Sequence, residues 1–477
     1  MPSIPALKAR TIRALLSVTG ACALLGAVAA SPAAAAHNEL VFFEAPRQLY
    51  LPTSRPKTLV QLQTLGVKAL RVELHWDEVA PSPNSSRRPN FNAKNPAAYA
   101  WGQYDGIILE AARLKWPVLL TVTSGVPKWA TASHRDHITR PNAKMFEEFM
   151  TAVGLHYSTL VDMYAIWNEP NIAGWLSPQW NSNGTPASPR IYRSLYQAGY
   201  AGLVASGLKN PKVLFGETAP FGQEHLGRGE SSKREVAPLA FMREALCLNS
   251  HYRKSGGCGE LKMYGYSTHP YTYPAQQGVS YRPPDYNQVT IGTLSRLSNA
   301  LNLAADAHAI PAHLPILLTE FGVQSKPNFE GVGLEEQAEY QSDAEKIAWE
   351  NPRVTAFSQY LLADETAHGG FSGYRTGLET AGGGRKPLYY SWPIPLVVSR
   401  SGSGYSLWGL VRPTETATQV HIYVQSRGSN QWRSLRIVST NSSGAWTLHS
   451  STQASHWRVS WRSPGGAVYT GPSIGVT

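Results

Sequence analysis

Asn142 to Asn171 reads NAKMFEEFMTAVGLHYSTLVDMYAIWNEPN, and its apolar period changes partway along. Phe146, Phe149, Met150 and Val153 recur at helical spacing, so Asn142–Leu155 predicts a helix with one apolar face. Met163–Trp167 is then a short apolar run of strand length. The same alternation continues in both directions. Further strand-like runs are Leu40–Phe43, Ala69–His75, Pro117–Thr123, Val213–Glu217, Met263–His269, Ile316–Phe321 and Val354–Leu361. Helical stretches such as Ile191–Leu208 and Glu335–Trp349 separate them. Strands alternating with helices predict a parallel α/β architecture, and eight such units predict a closed (β/α)8 TIM barrel over residues 37–395. The alternative, an open doubly wound sheet, usually places a Gly-rich phosphate loop after its first strand, and none follows here.

Around Lys386–Pro395 (KPLYYSWPIP) the pattern changes. Short alternating runs follow at Tyr405–Val411, Gln419–Gln425, Trp432–Val438, Ala445–Leu448 and His456–Trp461. Turns such as Arg427-Gly428-Ser429-Asn430 and Asn441-Ser442-Ser443-Gly444 divide them. This predicts a small β-sandwich, Ig-like in pattern, as an accessory domain over 396–477. No low-complexity linker precedes it, so it is expected to pack on the barrel.

At the other end, Lys8, Arg10 and Arg13 precede an apolar run from Ala14 to Ala30 and an A-x-A site at Ala34-Ala35-Ala36. These are the parts of a secretory signal peptide over 1–36, leaving His37 as the mature start and predicting an extracellular protein. The alternative is a membrane anchor, but the run is short and broken by Ser17, Thr19 and Gly20. No later stretch is long and apolar enough to span a bilayer. Cys22 leaves with the signal, and Cys247 and Cys258 remain, separated by ten residues of loop composition. Export makes a local disulfide the expected state. The alternatives are two free thiols or a two-thiol metal site, and neither Cys sits in a C-x-x-C pair.

Removing 36 of 477 residues leaves 441, with 40 basic and 32 acidic side chains. From Leu396 onward there are seven Arg, no Lys and a single acid, Glu415. Two readings stand: solvated arginines on strand faces, or contact with an anionic cell-wall polymer or acidic glycan. Nucleic acid is a poor partner for an exported chain.

In such a barrel the C-terminal strand ends line the active site. The fourth strand ends Ala165-Ile166-Trp167-Asn168-Glu169-Pro170-Asn171, and the seventh ends Leu317-Leu318-Thr319-Glu320-Phe321-Gly322. Each delivers one Glu to the rim. Glycosidic cleavage needs a proton for the leaving oxygen and a nucleophile at the anomeric carbon, which two converging carboxyls supply. Their environments must hold one protonated and the other ionised.

Trp167–Pro170 (WNEP), followed 151 residues after Glu169 by Glu320 in TEFG (Thr319–Gly322), resembles the clan A glycoside hydrolases. The order LRVELHW, YDGIILEAARLKWPVLLTV, YAIWNEPN and ILLTEFG is most similar to glycoside hydrolase family 39 and related bacterial glycosidases. The resemblance covers the whole barrel. It implies a retaining glycosidase with Glu169 as acid/base and Glu320 as nucleophile. It further implies that Arg71 supports the nucleophile, where an adjacent guanidinium keeps a carboxylate ionised. The alternative for Arg71 is a structural ion pair in the barrel floor. Asn168 is implied to bind the 2-hydroxyl of the reacting sugar, against a turn-forming role before Pro170. His269 and Tyr271, in Tyr266-Ser267-Thr268-His269-Pro270-Tyr271, correspond to positions that reach the nucleophile or the sugar. Trp76 corresponds to the Trp where the second strand leaves the barrel.

Trp129, after the third strand, and Trp175, beyond the acid/base, are stacking candidates for sugar faces, with core or loop packing as the alternative. His75 alternates onto the same face as Arg71, as a cleft residue or a satisfied core His. The sequence departs from the clan at the eighth strand. Ala356–Leu361 has no Trp, so Tyr360 or Gln359 serves as the sugar floor or the subsite is built differently. Glu217 and Asp364-Glu365 are further acids near the rim, holding sugar hydroxyls or facing solvent. No H-E-x-x-H, G-x-S-x-G or Walker loop occurs and the His residues are scattered, so neither a metal nor a cofactor is expected. The function expected is a secreted retaining glycosidase acting on a plant or bacterial carbohydrate. The alternative is a non-catalytic exported glycan-binding barrel.

Overall fold

Each of the eight runs read as barrel strands forms one: β1 (Leu40–Glu44), β2 (Leu70–His75), β3 (Val118–Thr123), β4 (Met163–Ile166), β5 (Val213–Thr218), β6 (Gly265–Thr268), β7 (Ile316–Leu318) and β8 (Val354–Tyr360). They pair in sequence order, and β8 returns parallel to β1 with Leu40 opposite Ala356, closing the barrel. This computed structural model describes residues 39–366 and 373–476. The expected signal segment 1–36 lies outside the described residues.

The barrel strands are buried on both faces, as parallel strands covered by helices must be. One set of alternating side chains fills the interior: Phe42, Leu119, Met163, Ala165, Leu214, Leu317 and Ala356. Two residues further along four of the strands the same inward rows turn polar, from Phe42 to Glu44, Leu119 to Thr121, Leu317 to Thr319 and Ala356 to Ser358. That switch closes the barrel floor with an apolar plug and leaves hydrogen-bonding groups at the C-terminal rim.

The opposite set packs on the helices. Helix Ala143–Tyr157 starts at Asn142, whose side chain accepts from the Met145 amide at 3.0 Å, a favourable N-cap. It buries Phe146, Phe149, Met150 and Val153, as the spacing predicts. It lies against helix Ser188–Ala205 so closely that a Cβ on Gly202 would stand 2.5 Å from the Glu147 carbonyl oxygen.

The C-terminal residues form two antiparallel sheets. The first orders β13 (Ala445–Ser450), β10 (Gly404–Leu410) and β9 (Leu396–Ser401). The second orders β12 (Arg433–Ser439), β11 (Gln419–Gln425), β14 (His456–Arg462) and β15 (Val468–Thr470), with β16 (Ile474–Gly475) pairing β14. Leu407, Val420, Ile422, Val424, Trp457, Val459 and Trp461 form the core between them. The sequence reading finds five of these strands; β9 runs on from KPLYYSWPIP without a turn signal, and β15 and β16 are too short to show a period.

The sandwich is anchored beneath the barrel. Arg412 donates Nη2 to both oxygens of the buried Glu345, at 2.6 and 2.7 Å. Lys68 reaches the Thr414 carbonyl at 2.8 Å, and the Tyr469 hydroxyl reaches that of Thr64 at 2.9 Å. A cavity of about 500 Å³ at this junction, lined by Glu39, Lys68, Trp349 and Arg412 among others, is remote from the strand rim. Cys247 and Cys258 are joined in a disulfide. Among the described residues no helix is long and apolar enough to cross a membrane.

Candidate active site

Arg71 on β2 organises the rim. Its side chain is fully buried and its fork is shared among five side-chain partners besides Thr121. Nη1 donates to Glu44 at 2.9 Å and to Glu320 at 3.2 Å. Nη2 donates to Glu217 at 2.8 Å, to Asn168 Oδ1 at 2.9 Å and to Glu73 at 3.3 Å. Nε approaches Glu217 at 3.3 Å and Thr121 at 3.2 Å. Burial opposes the guanidinium charge, but Glu217, Glu44, Glu73 and Glu320 together raise its pKa well above the usual value. One cation thus faces four carboxyls. Burial pushes the Glu44 carboxyl well up despite Arg71.

Glu320 stands two residues beyond β7 and is nearly buried. Tyr271 donates its phenol to Oε1 at 2.6 Å, while Arg71 holds Oε2 and His269 Nδ1 lies 3.6 Å from Oε2. Burial raises the Glu320 pKa to about 7, against the pull of His269 and Arg71.

Glu169 reaches the rim through a backbone kink. Trp167 and Glu169 have φ of 72° and 36°, a conformation L side chains rarely adopt. Hydrogen bonds hold it: Trp167 N to the Val122 carbonyl at 2.9 Å, Asn168 N to Thr123 Oγ1 at 3.0 Å, and Glu169 N to the Glu217 carbonyl at 3.0 Å. The Glu169 carboxylate meets His269 Nδ1 at 3.1 Å. Burial lowers the His269 pKa, but Glu320 and the bond to Glu169 raise it net. A carboxylate oxygen from each of Glu169 and Glu320 and a ring nitrogen of His269 lie within 4.8 Å of one another. Two oxygens and an imidazole also match a small divalent-cation donor set, and a cation there would compete with the His269–Glu169 contact.

The remaining sequence candidates divide. Asn168 is buried with its Oδ1 taken by Arg71, so its Nδ2 donors are what it can offer a sugar. His75 contacts the Ser124 carbonyl through Nδ1 and stacks on Trp175, with centroids 6.1 Å apart and planes at 23°. The two line an open depression with Ser124, Gly125, Ile138 and Gly174. Trp129 is placed differently from its sugar-stacking reading. It is 2 % exposed, edge-on to Trp76 at 5.9 Å and Phe91 at 5.8 Å, with Nε1 on the Pro81 carbonyl. It belongs to an aromatic core below the rim, where Trp76 also stacks on Phe149 at 5.2 Å.

At the eighth strand Tyr360 closes β8 and packs edge-on against Tyr374 at 5.4 Å. The charge of Glu320 adds to burial in raising the Tyr360 pKa, and Glu169 and Glu320 do the same for Tyr374. Tyr360 and Tyr374 thus pack together at the end of β8, a strand that carries no Trp. Gln359 is buried and donates to the Tyr360 and Thr376 carbonyls, a structural role. Asp364 neither faces solvent nor reaches the cleft: Lys386 holds it at 2.6 Å in a buried pair.

Sequence reasoning left Glu217 undecided and passed over Glu44, Glu73 and Tyr374. Glu73 shares the period-two inward row with Arg71 and His75 and was findable from it. Glu44 is the polar end of the row begun by Phe42. Tyr374 comes from a loop with no periodic signal.

No protein-family model matches the chain, and no curated protein matches it. Among solved structures, a family 39 glycoside hydrolase from the gut symbiont Bacteroides cellulosilyticus WH2 superposes with a TM-score of 0.51 at 13% identity, over 86% of this chain and 81% of that one. A glucosidase from Croceicoccus marinus gives 0.52 at 12% identity, over 93% of this chain and 97% of that one. At these identities what is shared is the fold.

Proposed function

We propose that this chain is a secreted retaining glycoside hydrolase acting on a carbohydrate outside the cell. The observation that carries the reading is the approach of Glu169 and Glu320, with oxygens within 4.8 Å of each other. Carboxyl groups about 5–5.5 Å apart suit a covalent double displacement, whereas inverting enzymes leave about 6.5–9.5 Å for a water. The solved structures that share the fold include proteins named as a glycoside hydrolase and a glucosidase, which favours the same reading.

In the first step a Glu320 oxygen bonds to the anomeric carbon while the glycosidic bond breaks, and Glu169 gives its proton to the departing oxygen. In the second, Glu169 takes a proton from water, whose oxygen displaces Glu320 from the same carbon. Arg71 and Tyr271 both donate to Glu320 and so favour its ionised form. His269 spans both carboxylates and is the natural conduit by which charge on one is felt by the other. Asn168 Nδ2 is presented to the 2-hydroxyl, a contact that strengthens as the oxocarbenium character grows. The signal peptide supplies export, and the arginine-rich C-terminal segment supplies contact with an anionic wall polymer.

Proton NMR during hydrolysis of an aryl glycoside tests the mechanism: the first-formed sugar keeps the substrate's anomeric configuration. Inversion rejects it. Glu320→Ala is expected to lose turnover and regain part of it with azide, giving a glycosyl azide. The rival, a glycan-binding barrel without turnover, predicts binding but no hydrolysis across a panel of aryl glycosides.

A further inference from the structure

The outer face of the β12-β11-β14-β15 sheet carries a second candidate site, far from the rim chemistry. Along β11, Val420, Ile422 and Val424 are buried, so His421 and Tyr423 point outward. Along β14, Trp457, Val459 and Trp461 are buried, so Arg458 and Ser460 point outward. The pairing sets Tyr423 opposite Arg458 and His421 opposite Ser460. The His421 and Tyr423 rings lie near-parallel, 6.5 Å apart at 19°. Trp432, just before β12, completes the row: the Arg458 guanidinium sits 4.3 Å from its centroid and 5.6 Å from that of Tyr423.

This arginine is unusual for a surface residue. Its Nε is buried without a hydrogen-bond partner, and among the described residues no carboxylate pairs with it. No acid is near in sequence either, since Glu415 alone accompanies seven Arg beyond Leu396, and Arg412 is already committed to Glu345. On the neighbouring β12, Ser434 stands opposite Tyr423 and Ile437 opposite His421, so they continue the same face. A guanidinium packed on two aromatic faces has lost its conformational freedom before any ligand arrives. Held so, it presents a planar fork suited to a carboxylate, beside flat rings suited to a pyranose face.

We infer that the face built by Tyr423, Trp432 and Arg458, extended by His421, binds an acidic polysaccharide, with sugar rings on the aromatics and a carboxylate on Arg458. The choice of a polysaccharide over other polyanions rests on the glycosidase reading of the barrel. The site localises the wall contact to named residues and makes the sandwich a tether that keeps the barrel at its substrate.

Affinity electrophoresis of the full chain in gels containing polygalacturonate, neutral xyloglucan or no polymer tests this. Polygalacturonate is expected to retard the protein, and xyloglucan not. Arg458→Gln and Trp432→Ala should each weaken binding at least tenfold, and Arg458→Lys should weaken it although the charge remains. All three should hydrolyse a soluble aryl glycoside as the parent does. Trp432 lies outside the sandwich core, so Trp432→Ala decides the matter should Arg458→Gln melt early. Absence of retardation, variants that bind like the parent, or equal retardation by xyloglucan would each overturn the inference. So would single-stranded DNA competing as well as polygalacturonate, which would mark a general polyanion surface. Retention of binding in a chain that hydrolyses no glycoside would reject the barrel reading alone.

Discussion

Arg71 and Glu217 meet across the floor of the site in a two-point contact, 2.8 Å from Nη2 to Oε2 and 3.3 Å from Nε to Oε1, both side chains shielded from solvent. This fork fixes the plane of the guanidinium, and the plane decides that Nη1 points at Glu44 and Glu320. Glu217 therefore positions Arg71, which in turn positions Glu320.

Glu217→Ala should leave a buried cation short of its best partner. Losing one member of a buried pair costs about 3–5 kcal/mol, visible as a lower urea midpoint with unchanged slope. Glu217→Gln should cost less, since its amide oxygen still accepts from Arg71. In both, kcat should fall roughly tenfold or more with KM little changed, because the interaction lost bears on the reacting carboxylate. Parental stability and kcat in Glu217→Ala would reject this role.

How far the sequence foretold this site follows from where each signal lives. The eight strands were legible because parallel strands buried on both faces must be apolar, and that pattern is local. Glu169 and Glu320 were legible because each ends such a run. Glu44 and Glu217 end runs too, but only closure of the barrel brings them to Arg71, and closure is not written in any one segment. Trp129 shows the converse. A Trp just past a strand has rim-like sequence position, yet the chain folds back there, with Val126 N on the His137 carbonyl, and Trp129 turns into the core. The sandwich's attachment through Arg412 and Glu345 joins residues 67 apart and was invisible as a pair.

Tyr271 lets the acid limb of the pH profile be read as a property of Glu320. As the proposed nucleophile, Glu320 would work only when ionised, and burial sets its pKa at about 7, so kcat/KM should fall as pH drops through about 7 rather than through the ordinary carboxylate range. The phenol donates to the ionised oxygen at 2.6 Å, which favours that form. Tyr271→Phe should move the acid limb to higher pH and lower kcat on an aryl glycoside. An unmoved limb with a raised KM would mean that Tyr271 serves sugar binding instead.

Arg412 bears on whether the sandwich is dispensable. Its guanidinium lies 3.9 Å from the Trp392 ring centroid and pairs with Glu345, which is buried in the helix Leu334–Trp349 of the barrel. Cutting the chain after Pro395 would leave Glu345 without its partner and uncover Trp349 and Trp392. A truncated chain should therefore melt well below the full one, and Arg412→Ala alone should cost about 3–5 kcal/mol. Double replacement of Arg412 and Glu345 by Met and Leu should recover much of that loss, since no charge is then buried unpaired. A truncated chain with unchanged Tm would show the interface to be idle.

Glu320→Gln separates the stability cost of the site from its chemistry. The native pKa of about 7 lies above the ordinary glutamate value of 4.5, so between these values the folded state binds more protons than the unfolded. Stability must then decline as pH rises through that window, the reverse of a salt-bridged carboxylate, and the loss is complete above it. Gln carries no charge to desolvate at any pH, yet its oxygen still accepts from Arg71 and its amide still faces Tyr271. The variant should therefore match the parent near pH 5 and exceed its Tm by several degrees at pH 8, while hydrolysis falls by several orders of magnitude. Equal melting curves at pH 8 would mean that Arg71 and His269 already offset the burial of Glu320 and that the site stores no such cost. A gain at pH 8 with activity lost would make Glu320 a residue kept for reaction at the expense of folding, as expected for a nucleophile held in a dry site.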